Sequence, residues 1–167
     1  MIKTYIKKLS VLTIILITFG SCDLERLDSA QEVAEGGGTL DTFTAYTIDS
    51  TDPMGSNVFG RIVFWKTDLE QTLVQISLYN TIEDTLHPAV LIDGAVGVGT
   101  SVSVSLDDVD GSTGELAANK FFLISDTSFY DSIESMDAHV SISLSPDDST
   151  VVAEGNIGAN ADPVETN

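Results

Sequence analysis

An all-β fold, an antiparallel β-sandwich or a closely related barrel, is predicted by two features of this 167-residue chain. First, three segments alternate apolar and polar residues with period two, the mark of a half-buried antiparallel strand. Second, short strand-like runs recur along the chain and are separated by clusters of Gly, Pro, Asp, Asn and Ser.

The amino terminus is set apart from this pattern. Lys3, Lys7 and Lys8 precede the uncharged run Leu9 to Phe19, which ends in Gly20-Ser21-Cys22. This is the basic, apolar and small-residue succession of an export signal. The run is well short of the roughly 20 residues that a helix needs to cross a bilayer. The segment resembles a bacterial lipobox, with Phe19 where Leu is commoner. That resemblance implies cleavage after residue 21 and lipidation of Cys22. Acyl chains on Cys22 would attach the protein to a membrane, with the outer membrane favoured and surface exposure open. Residues 22–38 are polar, end in Gly36-Gly37-Gly38 and read as a flexible tether.

A domain is expected over residues 39–160. In order, Asp41 to Ile48, Val58 to Lys66, Thr72 to Tyr79, Ala89 to Ile92, Ser101 to Leu106, Lys120 to Ile124, His139 to Leu144 and Thr150 to Ile157 are strand candidates. The three clean alternations put Val74, Ile76 and Leu78 on one face, Val102, Val104 and Leu106 on another, and Val140, Ile142 and Leu144 on a third. His139, Ser141 and Ser143 fall opposite this last set. Turn formers occupy Thr51 to Gly55, Asp107 to Gly114 and Ser145 to Asp148. Helix is scarce: one stretch fits over Thr127 to Met136, capped by Asp126 or Thr127. Phe43, Val63, Trp65, Phe121 and Phe122 are expected in the core, and residues 161–167 as a disordered tail.

Charge narrows the function. With 26 acidic and 7 basic residues the chain carries −19, which argues against nucleic acid because a phosphate backbone would be repelled. Removing the signal takes three of the basic residues and no acidic one, so the exported chain is more acidic still. The single Cys excludes an internal disulfide and a Cys-based zinc site.

Four segments carry a more specific signal: HPAVLIDGAVG (87–97), SLDDVDGSTGE (105–115), MDAHVSISLSPDD (136–148) and VVAEGNIGAN (151–160). Together they resemble the CHRD domain family, named for chordin, and GRIVFWKTDLEQTLVQISLYNT (60–81) is similar to the strand pair that opens bacterial members. The resemblance implies an exported, Greek-key-like sandwich with an immunoglobulin- or superoxide-dismutase-like layout. It also implies a histidine set, of the form His-Pro-Ala-His-Ile-His-x-Gly followed by a strand ending Asn-Val-His. Here the first segment keeps His87, Pro88, Ala89 and Gly94, but Val90 and Ile92 replace its alternating histidines. Ser141 and Ser143 stand at the later Asn and His.

Only His87 and His139 remain, so a metal site would need carboxylates such as Asp93 or Asp137. None is required by the spacing, and no metal or other cofactor is expected. His87 reads as the start of a turn and His139 as a solvated strand residue. Asp107-Asp108-Val109-Asp110-Gly111 suggests a calcium loop, but aligning Gly111 with the EF-hand glycine puts Leu106 at the first ligand and Ala117 at the twelfth. An acidic turn is the better reading. Gly94 to Gly99 lacks the Lys-Ser/Thr of a phosphate loop, and no Gly-x-Ser-x-Gly occurs. Triplets beginning at Asp28, Asp49, Asp84, Asp131 and Asp148 resemble a periplasmic O-glycosylation motif.

The sequence therefore predicts a non-enzymatic, lipid-anchored envelope module for binding or structural use, its partner an unidentified protein or glycan. The alternative is a superoxide-dismutase-like metalloprotein, against which the residues at 90, 92 and 143 count.

Overall fold

The structure is a computed structural model in which residues 40–51, 53 and 55–167 are described. The expected signal segment, Cys22 and the expected tether lie outside the described residues. The fold is all-β and every strand pairing is antiparallel. The strands are β1 (Thr42–Ser50), β2 (Phe59–Lys66), β3 (Thr72–Tyr79), β4 (Leu86–His87), β5 (Ala89–Asp93) and β6 (Ser101–Ser105), then β7 (Val109–Asp110), β8 (Glu115–Leu116) and β9 (Phe122–Ile124). A short helix α1 (Phe129–Ser132) and a 3-10 turn (Ile133–Ser135) lead to β10 (Asp137–Ser145), β11 (Asp148–Gly158) and β12 (Glu165–Thr166). The main sheet runs β6-β5-β10-β11-β1-β2-β3-β9, with β12 also on β1. A small sheet, β4-β7-β8, lies off it.

The main sheet curls on itself about β1. Along one edge, Thr42 to Ile48 pair with Lys66 to Gly60 of β2. The other edge is divided: Thr44 and Ala45 pair with Thr166 and Glu165 of β12, whereas Asp49 and Ser50 pair with Glu154 and Ala153 of β11. At the crossing point Gly155 lies so close to β1 that a Cβ there would overlap the Thr47 carbonyl oxygen. Glycine is what the close approach requires.

Curling turns two apolar faces toward each other. Ile48, Ile62, Phe64, Val74 and Ile76 come from one half, and Leu91, Val140, Ile142 and Ile157 from the other, all fully buried. Burying each such side chain contributes roughly 1.5–3 kcal/mol. The alternation read in Thr72 to Tyr79 holds, since Val74, Ile76 and Leu78 are buried. In β10 burial is continuous from Ala138 to Ile142 because the strand is flanked on both sides and covered on both faces. β6 is an edge strand, so Val102 stays 53% exposed and Val104 half-buried although the alternation is present.

Several expectations are corrected. Residues 161–167 contain β12: Asn167 exchanges both main-chain hydrogen bonds with Phe43 (3.1 and 3.0 Å), and Val164 N–H donates to Ala45 (2.8 Å). Phe43 and Trp65 are half-buried and point away from the core, packed on each other with centroids 4.7 Å apart, while Val63 beside them is 3% exposed. The Asp107 to Gly114 turn includes β7. The expected helical stretch forms as α1 plus the 3-10 turn, with Ser128 at the N-cap. Asp126 sets up that entry, its Oδ1 accepting from Ser128 N–H (2.9 Å) and Oγ–H (2.7 Å), which holds its carboxyl below the usual range.

Tyr46, on the core face of β1, meets Phe64 edge-on at 6.3 Å, and its hydroxyl has no hydrogen-bond partner among the described residues. Burial pushes the phenol up from 10.0; the Gly158 backbone only opposes this, and Glu134 and Tyr130 add to it. The folded state holds this proton more tightly than the unfolded chain does, so the contribution is complete below about pH 10 and is lost as pH rises through the raised folded value. Tyr46→Phe is expected to keep neutral-pH stability, or gain up to about 1 kcal/mol, because it deletes an unsatisfied hydroxyl. Its melting temperature should also fall less steeply above about pH 10. Thermal melts across pH check both, and a clear loss of stability at neutral pH would contradict the assignment.

Candidate functional site

The two histidines are structural in their contacts. His87, in β4, is fully buried. Its Nε2 accepts from Ile82 N–H (3.3 Å), so Nδ1 carries the proton and donates to the Ser143 carbonyl (3.2 Å). Both ring nitrogens are thereby used by the main chain. His139 is 4% exposed, not solvated, and its Nδ1 donates to the Gly94 carbonyl at 2.7 Å. The Gly94 to Gly99 connection turns over this face, where Val96 N–H donates to Asn156 Oδ1 (2.8 Å).

The positions marked by the family resemblance are neighbours. In the β5–β10 ladder Val90 faces Ser141 and Ile92 faces His139, on the side away from the core. Ser143 follows two residues later on the same side. This face therefore carries two aliphatic side chains and two hydroxyls around one hydrogen-bonded imidazole. Asp93 pairs with Ala138, so strand alternation puts it on the opposite face from His139. His87 binds the strand at Ser143 and His139 lies four residues earlier, roughly 13 Å along β10, too far for the pair to share a metal at about 2.1 Å. Among the described residues no group of three His, Cys, Asp or Glu side chains is arranged to hold a metal ion.

The acidic turn is a turn. Asp110 Oδ1 accepts from Ser112 N–H (2.8 Å), and its main-chain oxygen accepts from Thr113 and Gly114 (3.1 and 2.7 Å).

Two clefts flank the two ends of β1. One, of about 360 Å³, is lined by Asp49, Ser50, Thr51, Val96, Glu154, Gly155 and Asn156, where β11 joins β1. The other, of about 350 Å³, lies where α1 and the 3-10 turn pass the start of β1 and the β12 strand. It is lined by Thr42, Phe43, Thr44, Tyr130, Asp131, Glu134, Thr166 and Asn167, with the Phe43 ring itself turned to the opposite face against Trp65. The Tyr130 and Thr44 hydroxyls are 3.3 Å apart. Lys66 reaches this group from β2: Nζ lies 2.7 Å from Asp131 Oδ1 and 5.7 Å from the centroid of the Tyr130 ring. The hydrogen bond to Asp131 pushes the Lys66 ammonium up from 10.5. Neither histidine lines either cleft.

The second cleft has no signature in the sequence. Its residues come from three segments far apart in the chain, and only the Tyr130 to Glu134 part lies in the expected helical stretch. No family model matches this chain, and no curated protein and no solved structure matches it either.

Because His87 bridges two main-chain groups in a dry site, His87→Leu is expected to leave the Ile82 N–H and Ser143 C=O unpaired and to cost about 2–5 kcal/mol. Chemical denaturation checks this. A change below about 0.5 kcal/mol would show that the imidazole does not hold β4 to β10.

Proposed function

We propose that this chain is a lipid-anchored cell-envelope protein of CHRD type whose β-domain is a non-enzymatic binding or structural module. The observation that carries the anchor is the basic, apolar, Gly20-Ser21-Cys22 succession at the amino terminus. The polar, glycine-ended segment 22–38 supports it, being suited to hold a domain off a lipid surface. Support for a module without metal chemistry comes from the imidazoles. Both ring nitrogens of His87 and the Nδ1 of His139 take main-chain partners, and the positions at which the family carries further histidines are Val90, Ile92 and Ser143. The superoxide-dismutase-like alternative lacks a ligand set for the same reason. Membrane attachment in this reading rests on acyl chains, since a strongly acidic domain is repelled by anionic headgroups.

Full-length protein is expected in the membrane fraction of a Gram-negative host, extractable by detergent, and the Cys22→Ala variant in the soluble exported fraction. A Cys22→Ala protein that stays with the membranes would overturn the anchor.

A further inference from the structure

We propose that Ser149, just past the turn from β10 into β11, is a site of O-linked glycosylation that takes a neutral sugar from a polyprenyl diphosphate carrier. The proposal rests on the export in the reading above, because such carriers present their sugars on the outer side of the cytoplasmic membrane.

The five Asp-Ser/Thr triplets supply the candidates, and the structure separates them. A transferase has to reach a hydroxyl that the fold does not use, so the oxygen must be exposed and unengaged. The triplet at Asp49 lies at the end of β1, where Ser50 is half-buried and in register with Ala153 of β11. In the triplet at Asp84, Thr85 is half-buried, its Oγ1–H donates to the Glu83 carbonyl (3.4 Å), and its own carbonyl accepts from Gly111 N–H (2.8 Å). In the triplet at Asp131, Ser132 is half-buried in α1 and its Oγ–H donates to the Phe129 carbonyl (2.7 Å). The triplet at Asp28 lies outside the described residues. Asp148, Ser149 and Thr150 are all exposed, and the Ser149 hydroxyl has no hydrogen-bond partner among the described residues.

The backbone explains the difference. Ser145 is in register with Asp148 and Ser143 with Val151, so Leu144 faces two residues of β11, Ser149 and Thr150. This is a β-bulge, which takes a residue out of the ladder and re-aims its side chain. Asp148 closes the bulge: its Oδ1 accepts from Thr150 N–H (2.9 Å), and Ser149 is the residue that this bond spans. The carboxylate of the triplet thus fixes the main chain on both sides of the hydroxyl.

The surroundings select the group transferred. A phosphoryl group would add about −1.5 to −2 beside Asp147 and Asp148. The chain already carries −19. An acyl chain would find Asp147 to Thr150, polar and exposed, with nothing apolar to lie against. A neutral sugar adds no charge, and its hydroxyls can donate to both carboxylates. In the transfer, Ser149 Oγ attacks the anomeric carbon and forms the new C–O bond. The bond from that carbon to the diphosphate breaks, polyprenyl diphosphate leaves with the electron pair, and the serine proton passes to a base of the transferase.

The test takes the full-length protein from its native bacterial host, measures its intact mass and maps its peptides by electron-transfer fragmentation. The mass is expected to exceed polypeptide plus lipid by whole hexose, deoxyhexose or N-acetylhexosamine units, with sugar on Ser149. Ser149→Ala should lose that sugar, and Ser149→Thr, which restores a hydroxyl, should keep it. Asp148→Ala retains the serine but frees the bulge, and should lose most of the occupancy. A chain processed at Cys22 whose mass equals polypeptide plus lipid would overturn this proposal alone. A chain that retains residues 1–21 and carries no sugar would overturn the export reading as well. An excess that survives Ser149→Ala in full, that maps to Thr85 or Ser132 in place of Ser149, or that is unchanged in Asp148→Ala would overturn the assignment of the site.

Discussion

The structure depends on one strand being shared. β1 gives one edge to β2 along almost its whole length and divides the other between β12 and β11. The division lets a single sheet curl until its two apolar faces meet. It works only because Gly155 presents no side chain to the Thr47 carbonyl. A larger residue would push β11 away from β1 at the point where the two halves join, and the facing side chains that make up the core would separate.

The clefts follow from the same arrangement. Each sits at an end of β1, where one neighbour stops and another element takes its place: β11 at one end, and α1 with β12 at the other. The few basic residues are paired. Among the described residues the three basic ones are Arg61, Lys66 and Lys120. Arg61 and Lys66 lie on β2 and Lys120 just ahead of β9, and they face Glu165, Asp131 and Glu115. Exposed ion pairs of this kind stabilise little.

What could be read in the sequence was what periodicity encodes. Thr72 to Tyr79 and His139 to Leu144 alternate because each strand has a core face and an outward face, and the structure contains both. The short strands β4, β7 and β8 have two residues each, too few for any period, and exist because they pair with one another. β12 was hidden for a related reason: the four residues after Pro163 are too few for a strand signature, and their order comes from the free edge of β1. His139 misleads in another way. It occupies a position that alternation assigns to the outside, and the Gly94 to Gly99 connection then folds over that outside. Phe43 and Trp65 were assigned to the core because large aromatics usually belong there, whereas here they pack on the outward face, over Val63. The cleft could not be read at all, since it assembles β1, α1 and β12 from separate parts of the chain.

Native-state amide hydrogen exchange across β1 tests this account most directly. If the shared strand joins the halves, the amides of Ala45 to Ile48 exchange only through global unfolding, with the same free energy as the centre of the β10–β11 ladder. If those β1 amides exchange through a smaller local opening while the β10–β11 ladder stays protected, the two halves stand without the strand between them and the account is wrong.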